Sequence, residues 1–183
     1  MVEARKSFLF SIIVSTVFTF DPNIKVSHLA GCREIVLDGS NTNSLTVPIS
    51  SLSNNQGLPN ELLRMRLFAL EHDFYIFFKE TENATYNYKL VISGWENTKC
   101  AIQYNPAGNY LTIVDCANLQ DDFYYSEFTL ILTKDGLIQL FKSKEINPFI
   151  FAKVNLPLPY LSFGKLDYTT QKIRLLFDCP ANI

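Results

Sequence analysis

Apolar and polar residues alternate with a period of two along much of this 183-residue chain. The alternation is clearest at residues 86–92, 128–132 and 173–177, and it is typical of strands that bury one face. Turn-forming residues separate the apolar stretches at short intervals, as at residues 105–108 and 134–136. The pattern predicts an all-β fold, namely an antiparallel, jelly-roll-like β-sandwich of about ten short strands.

Residues 60–70 fit two kinds of secondary structure. A helix would begin at Asn60 and place leucines along one face. A strand would direct Arg64 and Arg66 to one side and Met65 to the other. The spacing of these residues leaves both alternatives open.

The N-terminus has the features of an export signal. Arg5 and Lys6 precede an uncharged apolar stretch, residues 7–20, which is shorter than the ~20 residues needed to span a bilayer. We therefore predict that residues 1–20 are a signal peptide and that the protein is secreted to the extracellular space. The alternatives for this stretch are an uncleaved signal anchor and a buried strand. No later segment is long and apolar enough to predict a stable membrane span after the signal is removed.

Four cysteines allow up to two disulfides in an oxidising compartment, with three possible pairings. We favour Cys32–Cys179, which would join the two ends of the domain, together with Cys100–Cys116 across a hairpin. The alternative is that some of these cysteines are buried as small apolar residues. The sequon at Asn83 lies in a polar stretch suited to a loop, and we expect it to be glycosylated.

The composition argues against several classes of function. A formal net charge of −2 leaves no basic excess for phosphates, so nucleic acid is not an expected partner. Of the two histidines, His72 is expected in a solvated turn. The glycines are too scattered for a GxGxxG or Walker loop, and no GxSxG elbow is present. We predict no catalytic residues, no cofactor and no metal, and we interpret the acidic residues of segment 115–127 as a polar loop, with calcium binding as the alternative.

The most distinctive segment is YNYKLVISGWENTKCAIQY, residues 86–104. Gly94 is expected to adopt the positive φ of a tight turn, and Asn97 to close that turn through its side chain. At this segment the chain resembles the farnesoic acid O-methyltransferase-like domain family of arthropod proteins, which has a Gly-Gly-Trp-x-Asn-Thr turn followed by Lys-Ser and Ile-Arg. The corresponding residues are Ser93, Gly94, Trp95, Asn97, Thr98, Lys99, Cys100, Ile102 and Gln103.

The resemblance covers most of the mature chain and favours the strand for residues 60–70. On this basis, N-terminal strands and a connector, residues 31–60, precede the family's β domain, residues 61–179. The chain differs from the family's glycine, serine and arginine at three positions, which are Ser93, Cys100 and Gln103.

The family name implies an O-methyltransferase, although the chain has no recognisable motif for S-adenosylmethionine. The resemblance also implies kinship with secreted β-rich modules, including lectin-like ones. We expect a non-catalytic module that binds carbohydrate or another surface ligand. The first alternative is a structural or protein-interaction domain of the extracellular space, and the second is O-methyl transfer.

The segment itself nominates the ligand-binding residues. An aromatic ring beside amides and charged groups suits a sugar, so the candidates are Trp95, Glu96, Asn97 and Lys99. The alternative roles are a core position for Trp95 and turn formation by Asn97. The expected partner is a glycan, a small ligand or an extracellular protein.

Overall fold

The computed structural model describes residues 29–38, 45–55, 57–105, 108–120, 124–165 and 172–180. The predicted signal peptide, residues 1–20, lies outside the described residues, and so do His28, Asp121 and Asp122. Among the residues that are described, no helix has the length and apolar character to cross a bilayer.

Twelve strands occur in the described part of the chain, and they form two six-stranded antiparallel sheets packed as a sandwich. The predicted fold class is confirmed. The first sheet has the order β1-β12-β3-β8-β9-β10 and the second has the order β2-β11-β4-β5-β6-β7. The strands are β1 Arg33–Leu37, β2 Thr46–Pro48, β3 Glu61–Leu70, β4 Phe74–Lys79, β5 Tyr88–Ser93, β6 Lys99–Tyr104, β7 Asn109–Asp115, β8 Ser126–Thr133, β9 Leu137–Lys142, β10 Ile150–Lys153, β11 Tyr160–Lys165 and β12 Ile173–Cys179.

The core lies between the two sheets and is built by the alternating residues of each strand. In β5, for example, Tyr88, Leu90 and Ile92 point inward and are buried. Phe163 of β11 and Phe177 of β12 meet across the sandwich, with ring centroids 4.6 Å apart. The ambiguous segment at residues 60–70 is strand β3, because its alternating side chains complete this core.

The N-terminal segments join both sheets at one edge. β1 pairs with β12 in the first sheet, and β2 pairs with β11 in the second. The polar connector after β2 is fixed by Asp178, whose carboxylate accepts hydrogen bonds from the backbone N–H groups of Ser53 (2.9 Å) and Asn54 (2.8 Å). The described residues of segment 31–60 are therefore part of the same sandwich.

The described residues form two disulfides, Cys32–Cys179 and Cys100–Cys116. These are the pairs that the sequence favours. The first joins the start of β1 to the end of β12, and the second joins β6 to the residue that follows β7. Because a disulfide restricts the unfolded chain, each bond of this kind typically contributes about 2–4 kcal/mol.

The β8–β9 hairpin turns at Gly136, which has a φ of +84°. A Cβ at this position would lie 2.4 Å from the carbonyl oxygen of Val154. We predict that Gly136→Ala lowers the free energy of unfolding by about 2–4 kcal/mol, because the alanine suffers both the unfavourable φ and a backbone clash. Denaturant unfolding measures this change.

Gly108→Ala is the matched control for this prediction. Gly108 also has a positive φ, +65°, but its nearest neighbour atom would be 3.5 Å away. The free energy of unfolding of this variant should fall by only about 1–2 kcal/mol, which is the cost of the positive φ for a residue with a Cβ. Equal losses at the two glycines would show that close packing against Val154 does not determine the residue at 136.

Candidate functional site

The outward face of the second sheet carries an apolar cluster that is separate from the core. β4 is buried along its whole length. Its residues Phe74, Ile76 and Phe78 enter the core, so Tyr75 and Phe77 must point the opposite way. The outward pair packs with neighbours from β5, β6 and the β4–β5 turn, namely Val91, Ala101 and the partly buried Tyr86. One face of the sandwich therefore presents an aromatic surface.

This surface opens into a cleft of about 210 Å³. The cleft residues with the most exposed aromatic rings are Trp95 and Tyr110, which are 43% and 49% exposed and have centroids 5.9 Å apart. The cleft is lined by Asp73, Tyr75, Lys89, Val91, Gly94, Trp95, Gln103 and Tyr110. Aromatic rings and a few convergent polar groups thus meet in one concave site, as in small-molecule binding sites.

Trp95 stands on a left-handed turn, Gly94–Asn97, between β5 and β6. Trp95, Glu96 and Asn97 have φ values of 52°, 57° and 60°. This conformation costs roughly 1–2 kcal/mol per residue for side chains other than glycine. Neighbouring contacts must offset that cost, and they also fix the position of the indole.

Asn97 supplies two of those contacts. Its Nδ2 donates to the carbonyl oxygen of Gln120 (2.8 Å), and its Oδ1 accepts from the backbone N–H of the same residue (3.3 Å). The disulfide between Cys100 and Cys116 joins the same two segments of chain. Asn97 therefore positions the turn that carries Trp95, through contacts with the chain that follows β7.

Gly94 has a different role from the one expected. Its φ is not positive, and the left-handed conformation is adopted by the residues on either side of it. A Cβ on Gly94 would lie 2.6 Å from Val91 Cγ1 and 3.6 Å from Asp73 Oδ1. The glycine is required because the turn packs directly on the cleft floor.

Asp73 lies where the chain crosses from β3 to β4, and the residue is only 3% exposed. Its backbone N–H donates to the carbonyl oxygen of Ser93 (3.2 Å), which holds it beside the Trp95 turn. His72 Nδ1 is 2.9 Å from Asp73 Oδ2, whereas Oδ1 accepts no hydrogen bond from any described residue. A buried polar atom left unpaired costs roughly 1–3 kcal/mol, so Oδ1 marks a place where an external donor would be favourable.

The structure corrects the expectation for His72. The residue does lie in the turn between β3 and β4, but its side chain is only 17% exposed and contacts Asp73. The ring is largely buried because the turn folds back onto the end of β5. His72 is thus a support of the cleft carboxylate and not a solvated turn residue.

Lys89 is the only cation among the eight residues that line the cleft. Its Nζ lies 4.9 Å from the ring centre of Tyr75 and 5.8 Å from that of Tyr86. Burial lowers the pKa of the Lys89 amine below its usual value. The cleft therefore combines a buried carboxylate at one end with a partly desolvated ammonium along the sheet.

Of the four ligand-binding candidates from the sequence, Trp95 lines the cleft. Asn97 holds the turn, and Glu96 and Lys99 are exposed beside it, with Lys99 opposite Asp115 in the β6–β7 register. Asn83 is exposed in the β4–β5 turn. The sequence analysis did not nominate the other lining residues, which come from three different hairpins: Asp73, Tyr75, Lys89, Val91, Gly94, Gln103 and Tyr110.

A metal centre finds no support among the residues that the structure describes, where no three His, Cys, Asp or Glu side chains converge. Asp115 and Glu127 are within that part of the chain, whereas Asp121 and Asp122, also considered for calcium, lie outside it.

An antiparallel β-sandwich with an aromatic cleft on one sheet is the class of protein that these observations define. The chain belongs to the farnesoic acid O-methyl transferase family, whose family model matches residues 34–181. A search of curated proteins found no match.

Several solved structures are similar in fold. Galectin LEC-6 of Caenorhabditis elegans is 13% identical, with 84% of this chain and 96% of the galectin covered and a TM-score of 0.48. Sheep galectin-11 is 12% identical, with 66% and 100% covered and a TM-score of 0.42. A β-glucanase of Bacillus licheniformis is 8% identical, with 83% and 79% covered and a TM-score of 0.44. These similarities carry no functional conclusion.

The family description implies S-adenosylmethionine, and the cleft of the second sheet does not fit it. At Gly31, Gly57, Gly94, Gly108 and Gly136 the Cβ position is within 4 Å of this chain's own atoms, so these glycines do not form an open cradle. The 210 Å³ cleft is also smaller than the roughly 300–1,000 Å³ of pockets that enclose a drug-sized ligand. We derive no methyl-transfer step from this site.

The Asn97 contacts generate a prediction about the lone tryptophan. Asn97→Gly tolerates the positive φ but removes both hydrogen bonds to Gln120, so it should lower the free energy of unfolding by about 1–2 kcal/mol. Emission from Trp95, the only tryptophan in the chain, should shift to the red as its contact with Tyr110 loosens. Denaturant unfolding and fluorescence measure the two effects.

The matched control is Asn118→Gly. Asn118 has the same kind of conformation, with a φ of 57°, and it is exposed in the loop that Asn97 contacts. That variant should leave the Trp95 emission unchanged. An Asn97→Gly protein with native stability and native emission would refute the positioning role of Asn97.

Proposed function

We propose that this chain is a secreted, non-catalytic module that binds carbohydrate in the cleft of its second sheet. The observation that carries the proposal is the meeting of exposed aromatic rings with an unpaired, buried acceptor, Asp73 Oδ1. Both features are used by sites that bind small polar ligands, in which apolar surface supplies affinity and a few polar groups supply specificity.

The aromatic part suits one face of a sugar ring. Trp95 and Tyr110 are large, their rings are in contact, and both are exposed where the cleft opens. A pyranose has an apolar face of C–H groups that packs on such rings, while its hydroxyls remain at the edge. Large aromatic side chains with an apolar body and a polar tip are well suited to this kind of contact.

The polar part suits the hydroxyls. Asp73 Oδ1 can accept a hydrogen bond from a ligand hydroxyl, and a hydrogen bond to a charged group contributes roughly 1.5–3 kcal/mol. Gln103 lies at the other end, with its Nε2 donating to the carbonyl oxygen of Gly108 (2.9 Å). That bond orients the amide and leaves its oxygen as a further acceptor beside Tyr110.

The compartment belongs to the same proposal. Two disulfides in one small domain fit an oxidising environment such as the extracellular space. Asn83 is exposed in a turn, as a glycosylated asparagine must be, and we include its glycosylation in the proposal.

A second candidate function, a protein-interaction domain, is favoured by a separate observation. Leu111 and Ile113 of β7 and Phe151 of β10 are exposed at the side of the sandwich where these two edge strands meet. Exposed apolar residues on adjoining edge strands are typical of protein contacts. Capture of a defined protein partner that competes with no glycan would favour this function.

The proposed function predicts that Trp95→Ala weakens glycan binding by about tenfold or more, equivalent to about 1.4 kcal/mol, because stacking surface is lost. A glycan array with the secreted protein identifies an oligosaccharide, and calorimetric titration with that oligosaccharide measures the affinity. Phe151→Ala is the control, since Phe151 is 55% exposed but lies outside the cleft. Equal affinities for the two variants, or silence across the array, would overturn the proposal.

A further inference from the structure

The charged groups of the cleft are separated along the sheet and do not pair with each other. The backbone N–H of Asp73 donates to the carbonyl oxygen of Ser93, which places Asp73 beside the end of β5. Lys89 lies four residues before Ser93 on the same strand. Four residues of strand put about 13 Å between the backbone positions of Lys89 and Ser93, and no ion pair between the Lys89 and Asp73 side chains occurs among the described residues. A ligand in the cleft therefore meets a carboxylate at one end and an ammonium towards the other.

Lys89 has no oxygen partner among the described residues, in contrast to Lys79 and Arg66. Lys79, on the adjacent strand, donates to Thr46 Oγ1 (3.0 Å) and to the carbonyl oxygen of Glu82 (2.6 Å). Arg66 pairs with Glu127. In contrast, the contacts of Lys89 with described residues are the rings of Tyr75 and Tyr86.

From this arrangement we propose that the carbohydrate bound in the cleft is acidic, a hexuronate whose carboxylate pairs with Lys89 while a hydroxyl donates to Asp73 Oδ1. The inference rests on the proposed function and specifies its ligand class. A neutral sugar would donate a hydrogen bond to Asp73 but would give the Lys89 ammonium no anionic partner beyond the aromatic rings. A hexuronate would provide a hydrogen bond for Asp73 and a carboxylate for Lys89. The partial desolvation of Lys89, which lowers the pKa of its amine, strengthens its attraction for an anion because less water screens the pair.

Lys89 is also a poor candidate for a purely structural residue. Burial disfavours its charged form in the folded protein, and this desolvation offsets the attraction of the ammonium to the two tyrosine rings. Lys89→Met, which keeps the apolar stem, should therefore leave the free energy of unfolding unchanged or raised. A structural role would predict the opposite change.

The test uses matched oligosaccharides that differ in a C6 carboxylate or a C6 hydroxymethyl group, namely galacturonate and galactose, glucuronate and glucose, and mannuronate and mannose. In calorimetric titration of the full protein, one hexuronate should bind about tenfold to a hundredfold more tightly than its neutral partner, as expected for a charge-assisted hydrogen bond. Lys89→Met should abolish that difference, and Lys89→Arg should retain it.

Lys99→Met is the control for net charge, because Lys99 is exposed on β6 outside the cleft lining, and it should keep the preference. Equal binding of neutral and acidic partners would overturn the hexuronate inference and leave the proposed function standing. Binding of farnesoic acid through Lys89, with no response to any oligosaccharide, would overturn both, since the carboxylate would then belong to an apolar ligand.

Discussion

The two faces of β4 are the constraint on which the rest of this structure depends. Strand geometry sends alternate residues to opposite sides, and β4 is aromatic or aliphatic on both up to its last residue, Lys79. Phe74, Ile76 and Phe78 help to close the core between the sheets. Tyr75 and Phe77 are forced onto the outer face of the second sheet, where they pack with Val91, Ala101 and Tyr86 and form the base of an aromatic surface. Stability and the candidate site thus share one strand.

Several residues around the cleft have conformations or surroundings that are unfavourable for folding. Three consecutive residues other than glycine adopt left-handed conformations around Trp95, Asp73 keeps an unpaired oxygen in a buried position, and Lys89 is partly desolvated. For Lys89 the folded state binds protons less well than the unfolded state. Its contribution to stability therefore becomes less unfavourable as the pH rises from its lowered pKa towards the usual value for lysine. These three features meet at one cleft, and strained or unpaired groups that persist in a folded protein are often found at functional sites.

The sequence was sufficient to predict the sandwich, because alternation reports a buried strand face directly. It was also sufficient to single out Trp95. It did not nominate Asp73, Gln103 or Tyr110, because these residues are far apart in sequence and meet only when β4, β6 and β7 align in one sheet. The role of Gly94 was assigned wrongly for a related reason. The close approach of Val91, a tertiary contact, requires glycine there, and no local pattern reveals such a contact.

Family membership and site chemistry are separable in this chain. The match over residues 34–181 identifies the family, whereas the chemistry of the cleft has to be argued from its own residues. Two of the positions that differ from the resembled turn motif have consequences in the structure. Cys100, in place of serine, anchors β6 to the chain beyond β7, and Gln103, in place of arginine, lines the cleft as a neutral amide. An arginine at 103 would put a second cation beside Lys89, since the two residues are paired in the β5–β6 register. With glutamine there, Lys89 is the one cation among the residues that line the cleft, so the positive charge of this site depends on a single side chain.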